Sequence, residues 1–178
     1  MTMKTIHPRI ILAATVAVAV LAFSFKGKPK AECPCKLKAF INYDDTTSVN
    51  VVSRPNGKVT FKLKADDEAL MVDVKASKRG WLQLETVSGD GNEGAKEGWV
   101  AGVAGIYTRN FDGGILSLYK GPNHESGEAA QLYGMQEVGV DGCCGQWALV
   151  RGKDKNGKIV KGWIAPEMQC AKPDGSCQ

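Results

Sequence analysis

The chain has few aromatic residues, few histidines and no apolar run long enough to span a bilayer. Phe, Trp and Tyr make up 7% of its 178 residues, and there are two histidines, His7 and His124. Thiol or hydroxyl catalysis needs a base beside the nucleophile, most often an imidazole. Outside the N-terminal apolar segment, His124 alone could serve, on the polar turn Gly121-Pro122-Asn123-His124-Glu125. A Gly-rich phosphate loop, a paired-carboxylate pattern and a nucleophile elbow are all missing, so no enzyme is expected. Basic residues are scattered singly and form no stripe interleaved with aromatics, which argues against nucleic acid. Cysteine is missing between residues 36 and 142, so that stretch must hold itself together by apolar burial. Metal signals are equally thin. Cys33-Pro34-Cys35 with Cys143-Cys144 lacks zinc-finger spacing, and Asp90-Gly91-Asn92-Glu93-Gly94 lacks the acids of a calcium loop. No cofactor is expected.

The N-terminus reads as an export signal over residues 1–24. Lys4 and Arg9 precede the uncharged run Ile10 to Phe23, and Ala22-Phe23-Ser24 places small residues where a signal peptidase cuts. That run is short of the roughly 20 residues a transmembrane helix needs. Lys26, Lys28 and Lys30 follow at once, so a retained signal anchor is the other reading, and membrane contact is expected only in that case. The whole chain holds 23 basic and 19 acidic residues, and loss of Lys4 and Arg9 leaves a nearly balanced +2.

Six cysteines, Cys33, Cys35, Cys143, Cys144, Cys170 and Cys177, all follow the signal segment. An even number in a small exported chain points to disulfides. Cys170 and Cys177 would close the tail 169–178 into a short loop. Cys33 and Cys35 would reach Cys143 and Cys144 and tie a leader, residues 25–44, to the second half of the chain. Redox or nucleophilic chemistry at the Cys143-Cys144 pair is the competing reading.

What the chain does have is a pattern that occurs twice. Ser48-Val49-Asn50-Val51-Val52, Trp81-Leu82-Gln83-Leu84 and Gly98-Trp99-Val100 form the first pass. Leu116-Ser117-Leu118-Tyr119, Trp147-Ala148-Leu149-Val150 and Gly162-Trp163-Ile164 form the second. Trp81 and Trp147 are 66 residues apart and Trp99 and Trp163 are 64 apart, which uses all four tryptophans. Short period-two runs such as Val59-Thr60-Phe61-Lys62-Leu63-Lys64, separated by Gly, Asn and Asp, predict an all-β fold. Asn56-Gly57 and Asn156-Gly157 predict tight type I′ hairpins. The repeats are placed at 45–105 and 106–168, with Ala101 to Gly105 as the linker. Trp99 and Trp163, each between Gly and an aliphatic residue, are expected to face the core. Trp81 and Trp147, beside loops, suit either core or platform.

This order of strands resembles the bacterial SH3-like domain family. The resemblance rests on Val49-Asn50-Val51, Arg54-Pro55, Gly80-Trp81 and Gly98-Trp99-Val100. In the second copy it rests on Leu116-Ser117-Leu118, Lys120-Gly121-Pro122, Trp147 and Gly162-Trp163-Ile164. The chain departs from the family at Ser117 and Tyr119, where asparagine and arginine would stand. The resemblance implies two tandem small β-barrels and a non-catalytic binding role in the cell envelope, periplasmic or extracellular. The expected ligand is a cell-wall peptide or glycan lying across Trp81, Tyr107, Tyr119 and Trp147, since aromatic grooves suit peptides. The other expectation is an assembly protein that captures an envelope protein.

Overall fold

A computed structural model describes residues 33–41, 48–64, 70–89, 97–110 and 112–172. The expected signal segment and Cys177 lie outside them. The strands are β1 (Leu37–Ile41), β2 (Ser48–Val52), β3 (Val59–Lys64), β4 (Leu70–Lys78), β5 (Trp81–Ser88) and β6 (Gly98–Ala101). Then follow β7 (Ala104–Thr108), β8 (Ile115–Tyr119), β9 (Glu128–Tyr133), β10 (Glu137–Cys144), β11 (Trp147–Lys153), β12 (Ile159–Ile164) and β13 (Gln169–Cys170). No helix among the described residues is long and apolar enough to cross a membrane.

The protein is all-β, and these strands pair antiparallel. The 13 strands make one sheet in the order β3-β2-β6-β5-β4-β1-β7-β10-β11-β12-β8-β9, with β13 on β7. Hydrogen bonding runs as this one open path. It does not close into the two separate barrels that the sequence led us to expect. Read outward from the centre, β1-β4-β5-β6-β2-β3 and β7-β10-β11-β12-β8-β9 have the same order. The repeat is therefore a six-strand unit used twice, and each copy includes three strands that the tryptophan pattern does not mark. Residues 37–41 of the expected leader form β1, and residues 104–105 of the expected linker begin β7.

The halves meet through β1 and β7, where Phe40 is opposite Gly105 and Ile41 is opposite Ala104. Gly105 allows the close approach, because a Cβ there would lie 2.9 Å from the Phe40 ring. Beyond that point β13 takes over the β7 edge, with Cys170 opposite Tyr107. A single apolar core runs through both halves, from Val51, Leu63, Leu82 and Leu84 to Leu116, Leu118, Leu132 and Val150.

Trp99 and Trp163 do not enter this core. Successive strand residues point to opposite faces, and the buried neighbours Val100 and Ile164 take the inward place. The preceding glycines are inward too: a Cβ at Gly98 would meet Val51 Cγ1 at 2.3 Å, and one at Gly162 would meet Leu118 Cβ at 2.7 Å. Both indoles are thereby turned to the outer face and are half-buried. The hairpins also differ from the expected type I′. Asn56 (φ 58°) and Gly157 (φ 77°) each supply one left-handed residue. The turns close more widely, through Ser53 N–H to Lys58 O at 2.9 Å and Asp154 N–H to Lys158 O at 2.9 Å.

Two disulfides, Cys33–Cys144 and Cys35–Cys143, tie the start of the described chain to the end of β10. Backbone bonds flank them, from Lys36 N–H to Gly145 O and from Gly145 N–H to Pro34 O, both 2.7 Å. Cys170 is also disulfide-bonded. Its expected partner, Cys177, is outside the described residues.

Candidate functional site

The outer face of the second repeat carries the densest group of rings. Tyr119, Trp163 and Leu149 lie in one row across β8, β12 and β11, since Trp163 is opposite both Tyr119 and Leu149. Trp147 is two residues before Leu149 and so shares its face. The Tyr119 and Trp147 ring centroids are 5.6 Å apart with the planes at 86°. His124, carried by the short 3-10 turn His124–Ser126, completes the group. It is 5.3 Å from Tyr119 and 4.9 Å from Trp147, edge-on to both. These are the edge-to-face arrangements that ring quadrupoles favour.

The turn that delivers His124 is held by one side chain. Ser126 Oγ accepts from Gly121 N–H at 2.9 Å and is within donating distance of the carbonyls of Gly121 (3.0 Å) and Asn123 (2.8 Å). His124 Nε2 is 3.4 Å from Glu167 Oε1, and both side chains are 59% exposed. The group thus presents two ring edges, an imidazole and a carboxylate on an open surface. It can stack and hydrogen-bond, but it offers no activated nucleophile.

Of the four residues expected at the site, the structure brings two together. Tyr119 and Trp147 are in contact, whereas Trp81 sits on the outer face of the first repeat, beside Gln83 and Trp99. Tyr107 lies on the joining strand β7, where it packs on Phe40 at 5.5 Å with the planes tilted by 30°. Burial, the charge of Glu137 and a hydrogen bond to that side chain all raise the Tyr107 pKa. The first repeat cannot build the same group. Val52, opposite Trp99, takes the place of Tyr119, and its β2–β3 turn (residues 53–58) holds no aromatic residue.

His124 and Glu167 were not foreseen. In sequence His124 is one residue of a polar turn, and Glu167 lies 43 positions away. The nearest sequence signal was the replacement of a valine by Tyr119 in the second copy. Clefts among the described residues also lie outside the ring group. One of about 190 Å³ is lined by Leu37, Lys38, Gln146, Pro166 and Gln169, of which Gln146 and Pro166 adjoin Trp147 and Glu167 in the chain. Another, of about 380 Å³, lies between β9 and the β11–β12 turn. We place the candidate site at the rings rather than in the larger cleft, because the rings combine stacking surface with exposed polar atoms.

No group of three or more potential metal ligands occurs among the described residues. Cys143 and Cys144 are both in disulfides, so neither offers a thiol. In comparisons with known proteins, no family model and no curated protein matches the chain.

Proposed function

We propose that the protein is an exported, non-catalytic binding module of two SH3-like units. Its ligand is a peptide or peptidoglycan component of the bacterial cell envelope. The observation that carries this reading is the Tyr119–His124–Trp147 group, which the second repeat has and the first lacks. A fold that needed these rings only for stability would have reason to keep them in both copies. The shared strand order of the halves supports an SH3-like unit used twice, and the disulfides suit an oxidising compartment. Trp81 and Tyr107, which stand apart from the group on other strands, drop out of the proposed site.

Co-sedimentation of the protein with insoluble peptidoglycan tests this. Saturable retention that survives moderate salt is expected. Tyr119→Ala and Trp147→Ala should each weaken it about tenfold, in line with the loss of a ring contact, while Trp81→Ala should not. Retention that is equal in all three variants would sink the site.

Capture of an envelope protein is the second reading. Ile115, at the start of β8, and Met135, in the β9–β10 turn, favour it, being 56% and 46% exposed. In that case wall binding is undetectable and a partner co-purifies in fixed ratio.

A further inference from the structure

The two repeats carry ion pairs of opposite polarity at matching bulges. In the first, Lys75 is the extra residue of a β-bulge, lying between Val74 opposite Leu84 and Ala76 opposite Gln83. In the second, Asp141 is the extra residue at the matching place, between Val140 opposite Val150 and Gly142 opposite Leu149. The bulge aims each side chain across the neighbouring strand. Lys75 Nζ reaches Glu97 Oε1 at 2.5 Å. Asp141 takes Arg151 Nε at 2.7 Å and Lys161 Nζ at 2.6 Å. Glu97 precedes Gly98-Trp99 just as Lys161 precedes Gly162-Trp163, and Glu85 follows Leu84 as Arg151 follows Val150. The first cluster is thus a cation paired with an acid, with a second acid, Glu85, at the sequence position that Arg151 holds, and the second is an acid between two cations.

The shared strand order and the matching bulges at Lys75 and Asp141 make the β4–β5–β6 and β10–β11–β12 sheets alike in shape, although β5 carries one further irregularity at Glu85. They are also neighbours, since Ser77 of β4 bonds to the backbone of Cys143 in β10. Pairing β10 with β5 and β6 would set Asp141 among Glu85 and Glu97. Pairing β4 with β11 and β12 would set Lys75 among Arg151 and Lys161. Each wrong pairing therefore gathers like charges around Lys75 or Asp141, which the correct pairing sets against opposite ones.

We propose that this reversal keeps the two repeats from exchanging strands, both within one chain and between two copies of it. Native pairing is attractive in each repeat, while mixed pairing is repulsive in both halves at once. Cross-strand like charges oppose pairing, and repeated or duplicated units are prone to such misassembly.

The test is refolding from urea with the disulfides intact, reading native monomer against dimer and misfolded monomer by light scattering and near-ultraviolet circular dichroism. K75D/E85R/E97K gives both repeats the same polarity and preserves an ion pair within each. It should raise the ratio of exchanged to native product about tenfold at equal protein concentration. The reciprocal D141K/R151E/K161E should do the same, and serves if the first variant does not fold. Wild type refolded at about 1 M salt, where the screening length falls to about 3 Å, should shift in the same direction without any substitution. A wild-type product ratio in the variants and no change with salt would overturn the proposal.

Discussion

Ser77 and Cys143 occupy the same place in the two repeats and bond to each other. The Ser77 hydroxyl accepts from Cys143 N–H at 2.9 Å and donates to Cys143 O at 3.1 Å. Cys143 is buried, so one hydroxyl satisfies both backbone groups of a residue from which water is excluded. The joint between the halves is polar at this point and apolar where Ile41 is opposite Ala104.

Ser77→Ala should therefore destabilise the protein by about 1–3 kcal/mol, the cost of leaving buried polar groups without partners. Urea unfolding checks this through a lower midpoint at unchanged slope. A midpoint equal to wild type would mean that the Cys143 backbone finds other partners.

Gly98→Ala and Gly162→Ala test the cause of the outward tryptophans. The Gly98 contact is with Val51 Cγ1, a methyl that can turn away, whereas the Gly162 contact is with Leu118 Cβ, which cannot. Overpacking typically costs about 1–3 kcal/mol, and Gly162→Ala should be the more costly of the two. The reverse order in thermal unfolding would contradict this account.

The two described disulfides differ in exposure. Cys35 and Cys143 are 6% and 3% exposed, while Cys33 and Cys144 are half-buried. Under stepwise dithiothreitol, mass mapping should find Cys33–Cys144 opened first. C35S/C143S alone should cost little loop entropy, because Cys33–Cys144 still closes the same loop, whereas removal of both bridges frees it and should cost about 2–5 kcal/mol. Simultaneous reduction of both bridges would show that burial does not protect the inner one.

Tyr107 should make the protein alkali-sensitive. Its pKa in the folded state is raised above the ordinary 10.0, first by burial and then by Glu137. The unfolded chain therefore ionises first, and the stability present below pH 10 is lost as the pH rises through the folded value. In a spectrophotometric titration Tyr107→Phe should remove a phenol that ionises above the ordinary value. It should also flatten the alkaline fall in stability. An unchanged titration curve would refute the assignment.

The Gly-Trp-aliphatic triplets show where local pattern stops being informative. Both Trp99 and Val100 are large enough to fill a core, and alternation says only that they take opposite faces. The decision lies in β2, whose Val51 occupies the space a Cβ on Gly98 would need. Strands β1 and β7 escaped notice for a related reason. Ala39, Phe40 and Ile41 in β1, and Ala104, Gly105 and Ile106 in β7, are buried as consecutive residues. Where both faces of a strand are covered there is no polar alternation to read.

By itself, the sequence determined the all-β class and the duplication, because period-two runs and tryptophan spacing are local and survive without contacts. It also held the charges of both ion clusters, though not their meeting. Only the tertiary structure decided that the halves share one open sheet, that Tyr119 and Trp147 meet His124 while Trp81 stands apart, and that Lys75 and Asp141 sit on matching bulges. Those facts depend on strand order and register, which bring distant residues together through packing that no single segment encodes.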